Sequence, residues 1–300
     1  MTTQDGKRVR HRPGEGRPVN SRLFLAAAAV VLVLMGTRLL LDMVWPMEKS
    51  QPQKPTGSVT EPVDGSADVS TEEGEEKLPP QKEPSREEKL EYIRTSGQYP
   101  EKLAAFAEHY GEVLDYVYDY PEKKDVEHQI DLTEEAKSEK VPLLIQWDER
   151  WGYEPYAGGL MGYAGCGPTC LSMAALYLTH DPEQTPLKAA EIAERWGYAQ
   201  EGVGSAWTLF SEGSRLLGLH PQELPLDENV MKQALDQGKL IVLSVGKGDF
   251  TQSGHYLLVT GYKKKGFTLN DPNSPENSGK VWPYEKLKGQ IKNLWSMSAR

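Results

Sequence analysis

Cysteine and histidine are scarce in this chain, and their scarcity limits the chemistry that the sequence can support. The 300 residues include two cysteines, Cys166 and Cys170, and six histidines. Two cysteines at this spacing lack the ligand pattern of a zinc site, so we expect neither a metal nor a cofactor. A disulfide between them is an alternative, but a bridge between positions i and i+4 of a helix is strained and closes almost no loop. Cys170 is therefore expected to be a small, buried side chain.

Basic residues are also too few for a nucleic-acid-binding protein. The chain has 34 Lys and Arg against 44 Asp and Glu, which gives a formal net charge of −10 at pH 7. The acidic excess lies mainly before residue 141, because residues 141 to 300 carry 15 basic and 17 acidic side chains. This distribution argues against nucleic acid as a partner and does not indicate the charge of the substrate.

Long apolar runs are absent except near the N-terminus. Residues 1 to 22 are basic and polar, and the run at residues 23 to 41 is long enough to cross a bilayer once. A positively charged segment next to a transmembrane helix stays on the cytoplasmic side of the membrane. We therefore expect a cytoplasmic tail, a single transmembrane signal anchor in the cell membrane, and an extracytoplasmic remainder. A cleaved signal peptide and a secreted product are the alternative.

Composition divides the rest of the chain into three segments. Residues 42 to 86 are rich in Pro, Glu, Ser, Thr and Lys with few apolar side chains, which predicts a disordered stalk. Apolar positions spaced among Glu and Lys at residues 87 to 138 predict a small helical collar that packs on the following domain. In residues 139 to 300, helical patterns precede strand patterns, which is typical of an α+β domain, and we expect the protein to be a monomer.

Local patterns predict the elements of this last domain. A short apolar strand is expected at residues 141–145, and apolar helices at 166–178 and 205–217. Two further helices begin at the cap residues Thr185 and Asp227. Four later runs rich in β-branched and aromatic residues are expected to be strands. They are residues 240–245, 255–262, 267–270 and 291–297.

The most informative motif is Gly-Cys-Gly-Pro-Thr at residues 165–169. A glycine-rich turn enters an apolar helix there, and Pro168 suits the first helical turn because it has no N–H that needs a partner. The N–H groups and dipole of a helix N-terminus stabilise a thiolate. Cys166 is therefore the candidate nucleophile.

A general base for this thiol must come from elsewhere in the chain, and His255 is the candidate. It begins an apolar strand, and Gly254 before it leaves room for another group. The other histidines fall in the N-terminal tail, the collar, a polar linker or loops after helices. A Cys followed by a His and then by an Asp or Asn is the chain order of papain-type sites.

The Asn-Asp-Pro-Asn run at residues 270–273 supplies the candidates for the group that orients His255. If the two flanking strands form a hairpin with a tight Lys-rich turn, Asp271 lies opposite Leu258, on the wrong face. A one-residue bulge would place it opposite Leu257, on the face of His255. Spacing alone leaves three alternatives, which are Asp271, Asn270 and Asn273.

The oxyanion formed by attack on a carbonyl needs hydrogen-bond donors. The backbone N–H of Cys166 is one, and a side-chain amide commonly supplies the second. Gln146, at the end of the first predicted strand, is the candidate. A solvent-exposed Gln without a role is the alternative.

Four motifs together resemble a known family. They are the Val-Pro to Gln segment at 141–146, the cysteine motif at 165–169, Gly254-His255-Tyr256 and the run at 270–273. Over roughly residues 139 to 298 they are similar to stand-alone, exported relatives of the double-glycine leader peptidases that process bacteriocins. The resemblance implies a papain-like cysteine peptidase fold, in which a helical layer carrying the nucleophile packs on an antiparallel sheet. It also implies Cys166 as nucleophile, His255 as base, Asp271 as orienting group and Gln146 in the oxyanion hole.

The chain departs from those peptidases in two respects. The exporter peptidases are joined to a transporter and an ATPase, whereas this sequence has one candidate span and no G-x-x-x-x-G-K-[ST] loop. Double-glycine leader cleavage is therefore not implied. Gln146 also lies about twenty residues before Cys166, farther than in papain, with a Gly- and Tyr-rich insertion at residues 151–163 that we expect to shape the substrate cleft.

These observations predict a membrane-anchored, extracytoplasmic cysteine peptidase that acts on peptide or protein substrates. An amidase or acyl transferase acting on cell-wall amides uses the same chemistry and is one alternative. A catalytically silent surface-binding module is another. An intact set of Cys, His and Asp argues against the silent module, because binding alone does not need these residues.

Overall fold

The structure is a computed structural model that describes residues 83–300. The predicted cytoplasmic tail, the predicted signal anchor and residues 42–82 of the predicted stalk lie outside the described residues. Within residues 83–300, no helix is both long and apolar enough to cross a bilayer.

Residues 83–300 contain twelve α-helices and ten β-strands. The helices are α1 (Arg86–Thr95), α2 (Glu101–His109), α3 (Leu114–Tyr118), α4 (Tyr120–Lys123), α5 (Thr133–Lys137), α6 (Met161–Ala164), α7 (Cys166–Thr179), α8 (Pro186–Arg195), α9 (Thr208–Ser211), α10 (Glu228–Asp236), α11 (Pro275–Ser278) and α12 (Tyr284–Leu287). The strands are β1 (Pro155–Tyr156), β2 (Gly159–Leu160), β3 (Ala199–Gln200), β4 (Gly204–Ser205), β5 (Leu219–Glu223), β6 (Leu240–Gly246), β7 (Gly254–Lys263), β8 (Gly266–Asn270), β9 (Val281–Trp282) and β10 (Ile291–Ala299).

A six-stranded antiparallel sheet forms the centre of the domain. Its strand order is β5-β10-β6-β7-β8-β9, and each neighbouring pair is antiparallel. Alternate residues of β6 point to opposite faces. Val242 belongs to the apolar cluster formed with α7, whereas Ile241 and Leu243 belong to the cluster formed with α10. Helices thus cover both faces, and all of β6 is buried.

Helix α7 is the buried centre of the helical layer. Residues 167–176 are all buried, so the helix is enclosed around its whole circumference rather than buried along one stripe. Gly167 permits a close approach, because a Cβ there would collide with the side chain of Ser205. His180 adopts a left-handed conformation, with φ of 55°, and its N–H donates to Leu176 O at 2.9 Å, which ends the helix.

Most of the predicted elements are confirmed. The helix predicted at 166–178 is α7, the caps at Thr185 and Asp227 begin α8 and α10, and the four predicted strands are β6, β7, β8 and β10. Thr185 and Asp227 both accept hydrogen bonds from backbone N–H groups in the first helical turn. The expectation of an α+β domain with an antiparallel sheet is therefore confirmed.

The strand predicted at residues 141–145 is wrong, because this segment joins no sheet. Pro142 has no N–H to donate to a ladder. The segment is instead attached to the end of β8 by two separate hydrogen bonds. The Gln146 N–H donates to Pro272 O, and the Asn270 amide donates to Pro142 O, each at 2.8 Å.

The helix predicted at residues 205–217 is also wrong as a single element. It consists of the short α9 and a 3₁₀ segment at Gly213–Leu217. Gly213 lowers the helix propensity in the middle of the run, which favours this break. The sequence patterns also miss β5 and β9. Pro221 lies in β5, which is tolerated because β5 is an edge strand.

The collar helices α1 to α4 have an apolar cluster of their own, which includes Ile93, Leu103 and Val117. Ser85 caps α1 in a capping box with Glu88. The collar is joined to the peptidase segment through two tyrosines. The hydroxyl of Tyr116 donates to Gly152 O at 2.6 Å, that of Tyr153 donates to Tyr116 O at 2.8 Å, and their rings stack with centroids 4.5 Å apart.

Candidate active site

Cys166 is the first residue of α7 and lies half-buried at the base of a cleft. The start of the helix is held against Ser205, which contacts two tyrosines. The hydroxyls of Tyr156 and Ser205 are 2.6 Å apart, and the hydroxyl of Tyr256 donates to Ser205 O at 2.8 Å. This arrangement places the thiol at the positive end of a rigid, buried helix. Cys166 and Cys170 are both free thiols.

His255 lies at the start of β7 and contacts both of its predicted partners. Its Nε2 is 2.7 Å from Asp271 Oδ1, and Cys166 lines the same cavities as the imidazole and is close enough to contribute to its raised pKa. Since Nε2 is bonded to Asp271, Nδ1 is the nitrogen that remains for the thiol. His255 is 8% exposed and Asp271 is 1% exposed, so the pair is shielded from solvent.

A bulge in the β7–β8 hairpin brings Asp271 to His255. Leu258 pairs with Asn270 and Gly261 pairs with Thr268, so the strand β7 has one extra residue between these pairs. Asp271, the next residue after β8, therefore lies opposite Leu257, as expected for the bulged alternative and not for the regular hairpin.

Asp271 is surrounded by hydrogen-bond donors. In addition to His255, the backbone N–H of Asn273 donates to Oδ1 and the side-chain amide of Asn277 donates to Oδ2, each at 2.9 Å. Burial opposes ionisation of Asp271, but the charge of His255 and these hydrogen bonds outweigh it, so the pKa of Asp271 is lowered. The carboxylate is therefore ionised near neutral pH.

The charge on Asp271 determines the protonation of His255. Burial alone would lower the pKa of His255, because it penalises the imidazolium. The Asp271 carboxylate outweighs burial through its charge and hydrogen bond, and the pKa of His255 is raised above its ordinary value. The imidazole is thus well suited to hold a proton taken from Cys166.

The two asparagines beside Asp271 do not contact the imidazole. The Asn270 amide donates to Pro142 O at 2.8 Å and holds the 141–146 segment against β8. Asn273 contributes its backbone N–H to Asp271, and its carbonyl O accepts the indole N–H of Trp147 at 3.0 Å. Of the three alternatives, Asp271 is the one that reaches His255.

Gln146 is buried beside Cys166 and lines the same cleft. Its Nε2 donates to Gly162 O at 2.9 Å, which uses one of the two amide hydrogens. Its Oε1 is buried and has no hydrogen-bond partner among residues 83–300. The alternative of a solvent-exposed Gln is therefore wrong, because the side chain is 2% exposed.

The cleft has two lobes that meet at Cys166 and His255. One lobe is a cavity of about 260 Å³ that also contacts Gln146. The other is a cavity of about 650 Å³ beside Trp207, whose indole N–H donates to Ser244 Oγ at 3.1 Å. Both cavities therefore open onto Cys166 and His255.

Several residues of the site carry no signal in the sequence. Asn277 reaches Asp271 from α11, and Trp207 lines the larger lobe. The smaller lobe is lined partly by the collar, through Lys102, Phe106 and Tyr110. Trp207 and the collar residues come from segments far from the motifs in the chain, and Asn277 lies outside the run at 270–273, so neither periodicity nor motif spacing indicates them. The insertion at 151–163 does line this lobe, through residues that include Gly159 and Tyr163.

A buried helix that carries a thiol and packs on an antiparallel sheet is the arrangement of a papain-like cysteine peptidase. Residues 138–300 match the model of the Peptidase_C39 like family, which is more than half of the chain. The chain belongs to this family, and the expectation of a cysteine peptidase is confirmed.

Two solved structures are similar to this chain. The peptidase domain of Streptococcus ComA, a bifunctional ABC transporter involved in a quorum-sensing pathway, is 17% identical, with a TM-score of 0.39 over 53% of this chain and 99% of that chain. A putative C39-like peptidase from Bacillus anthracis is 16% identical, with a TM-score of 0.38 over 58% of this chain and 99% of that chain. No curated protein matches the chain significantly.

Proposed function

We propose that this protein is a membrane-anchored, extracytoplasmic peptidase that hydrolyses peptide bonds with Cys166, His255 and Asp271. The observation that carries the proposal is the buried imidazole of His255, which is 2.7 Å from Asp271 and lines both cavities of the cleft together with Cys166. A base that is oriented by a buried carboxylate and faces a thiol at a helix N-terminus is the arrangement that activates a cysteine nucleophile.

In the first half of the reaction, His255 accepts the proton of the Cys166 thiol, and the thiolate attacks the substrate carbonyl carbon. The resulting oxyanion accepts hydrogen bonds from the backbone N–H of Cys166 and from the second amide hydrogen of Gln146. The His255 imidazolium then donates its proton to the leaving nitrogen as the C–N bond breaks. A thioester to Cys166 and a free amine product result.

In the second half, His255 accepts a proton from water, and the hydroxide attacks the thioester. Collapse of this second tetrahedral intermediate breaks the C–S bond, releases the carboxylic acid and returns the proton to the Cys166 sulfur. Asp271 stays ionised throughout and holds the imidazole in one orientation.

The membrane anchor and the extracytoplasmic location are supported by the basic flank and the apolar run at residues 23 to 41. The peptide as substrate class is supported by membership of a peptidase family and by a cleft whose two lobes are both lined by Cys166 and His255.

The test compares the full-length protein in detergent with its Cys166→Ala and His255→Ala variants on a peptide library, with products identified by mass. We expect each variant to lose turnover by on the order of a thousandfold or more, and the double variant to lose little beyond either single one. Circular dichroism and melting temperatures check that the variants stay folded. Turnover of a library peptide by Cys166→Ala at the wild-type rate would contradict the covalent mechanism.

A further inference from the structure

One wall of the smaller lobe comes from residues that precede the matched family segment, 138–300. Lys102, Phe106 and Tyr110 line this lobe together with Cys166 and His255. The three collar residues are spaced four apart on α2 and its C-terminal cap, so they lie on one face of the helix. The collar thus contributes a continuous surface to the cleft.

This collar face is fixed in position by contacts on either side. After α2, the Glu112 carboxylate accepts hydrogen bonds from Ser274 Oγ at 2.5 Å and from the Glu276 N–H at 3.1 Å. Those residues belong to the loop and helix that follow Asp271. Within the lobe, the Phe106 ring packs against Tyr110 and Tyr163, with centroids 5.3 Å and 6.3 Å away. A wall held in this way is preorganised for a ligand.

The chemistry of the lobe combines aromatic surface with one free cation. Rings of Phe106, Tyr110, Tyr163 and Phe250 line it. Apart from His255, Lys102 is the one titratable cation among the lining residues, and no carboxylate lines this lobe. Across residues 83–300, Lys102 takes part in no ion pair.

Lys102 also extends across the mouth of the lobe. Its Nζ lies 3.9 Å from the position that a Cβ on Gly202 would take, on the turn between β3 and β4. Gly202 and Val203 also line this lobe. An ammonium group that shares the lining of a lobe with aromatic rings is complementary to a side chain that has an apolar stem and a terminal carboxylate.

We propose that the collar face is a specificity subsite, in which the stem of a substrate glutamate packs against Phe106 and Tyr110 while its carboxylate pairs with Lys102. The assignment rests on the proposed peptidase function and adds its substrate preference. A partly exposed ion pair changes an equilibrium by about two- to fivefold, so the preference for Glu over Gln is expected to be of that size. Lys at the same position of the substrate is disfavoured by charge repulsion.

The experiment uses positional-scanning peptide libraries with Glu, Gln or Lys at each position. The rate of cleavage is measured with the full-length protein in detergent, and binding is measured with its Cys166→Ala variant, which does not consume the peptides. At one position we expect the order Glu, Gln, Lys in both measurements. Lys102→Glu should reverse this order, and Lys102→Met should remove the difference between Glu and Gln. Lys264→Glu, on the exposed β7–β8 turn, makes the same change in net charge and should leave the order unchanged.

The outcomes separate the subsite from the peptidase. If Cys166 is required for cleavage but Lys102→Glu keeps the wild-type order, the subsite is wrong and the peptidase function stands. A second outcome is that no peptide is cleaved, but the Cys166→Ala protein prefers Glu peptides in binding and Lys102→Glu reverses this preference. In that case the subsite stands and the peptidase function fails. Absence of any Glu preference in binding, or reversal by Lys264→Glu as well, overturns the subsite.

Discussion

Replacing Asp271 by Asn tests whether its charge, rather than its shape, controls His255. The substitution preserves side-chain volume in a site that is 1% exposed. Asn Oδ1 can still accept from His255 Nε2 and from the Asn273 N–H, at 2.7 Å and 2.9 Å in the wild type. The new amide group faces Asn277, whose own amide can turn to present its oxygen. We therefore expect Asp271→Asn to fold.

The change in the pKa of His255 can be worked out from its hydrogen bond to residue 271, which is no longer a bond to a charged group in Asp271→Asn. A hydrogen bond to a charged group contributes about 1.5–3 kcal/mol, and a neutral one contributes about 0.5–1.5 kcal/mol. The difference of roughly 1–2 kcal/mol corresponds to about one pKa unit, since one unit is 1.36 kcal/mol, and the lost Coulombic attraction of the carboxylate adds to this change. Asp271 raises the pKa of His255 by stabilising the imidazolium. Its loss lets the imidazolium release its proton at lower pH.

The assay is the pH dependence of Cys166 alkylation by iodoacetamide, followed together with the cleavage rate. The alkaline limb of the cleavage profile reports loss of the His255 proton. We expect this limb to move to lower pH in Asp271→Asn by at least about one unit, with activity reduced less than in His255→Ala. Asp236→Asn, at the exposed end of α10, is the matched control. An alkaline limb that stays at the wild-type pH, or moves upward, would refute the role of the charge.

Three further outcomes are expected. Iodoacetamide at neutral pH should label Cys166 far faster than Cys170, because Cys170 is fully buried and burial raises the pKa of its thiol; equal rates by peptide mapping would contradict this. Gln146→Ala should lower kcat by roughly 10²- to 10³-fold with KM nearly unchanged, since an oxyanion donor acts in the transition state; a rise in KM alone would instead indicate a role in substrate binding. Protease added to intact cells should cleave the chain between residues 42 and 86, and complete protection until lysis would disprove the extracytoplasmic location.

Local signals in the sequence were sufficient for most elements of the domain. The glycine-rich turn before an apolar run predicts the start of α7 at Cys166, and Thr185 and Asp227 predict the starts of two more helices. Caps, turns and periodicity act over a few residues, so they can be read without knowing what the segment contacts. The chain order of Cys166 and His255, with the run that follows, likewise points to a papain-type arrangement.

Only the tertiary structure decided which groups meet at the site. The bulge that brings Asp271 to His255 depends on how two strands pair, and spacing alone left three alternatives. The segment at 141–145 has the composition of a strand, but Pro142 and the bonds to the end of β8 keep it outside the sheet. Register and bulges are set by packing between strands, which no local pattern contains.

The sequence by itself therefore determined the class of chemistry. A nucleophilic thiol needs a cysteine at the N-terminus of a helix, and both the cysteine and the start of the helix can be recognised from local sequence. The tertiary structure decided the hydrogen-bond partners of Asp271 and the walls of the cleft. Trp207 and the collar face with Lys102 come from segments outside the four motifs, and Asn277 reaches Asp271 from the helix that follows the run at 270–273. Contacts of this kind arise from the docking of whole elements, whose free energy is spread over many side chains rather than encoded at one position.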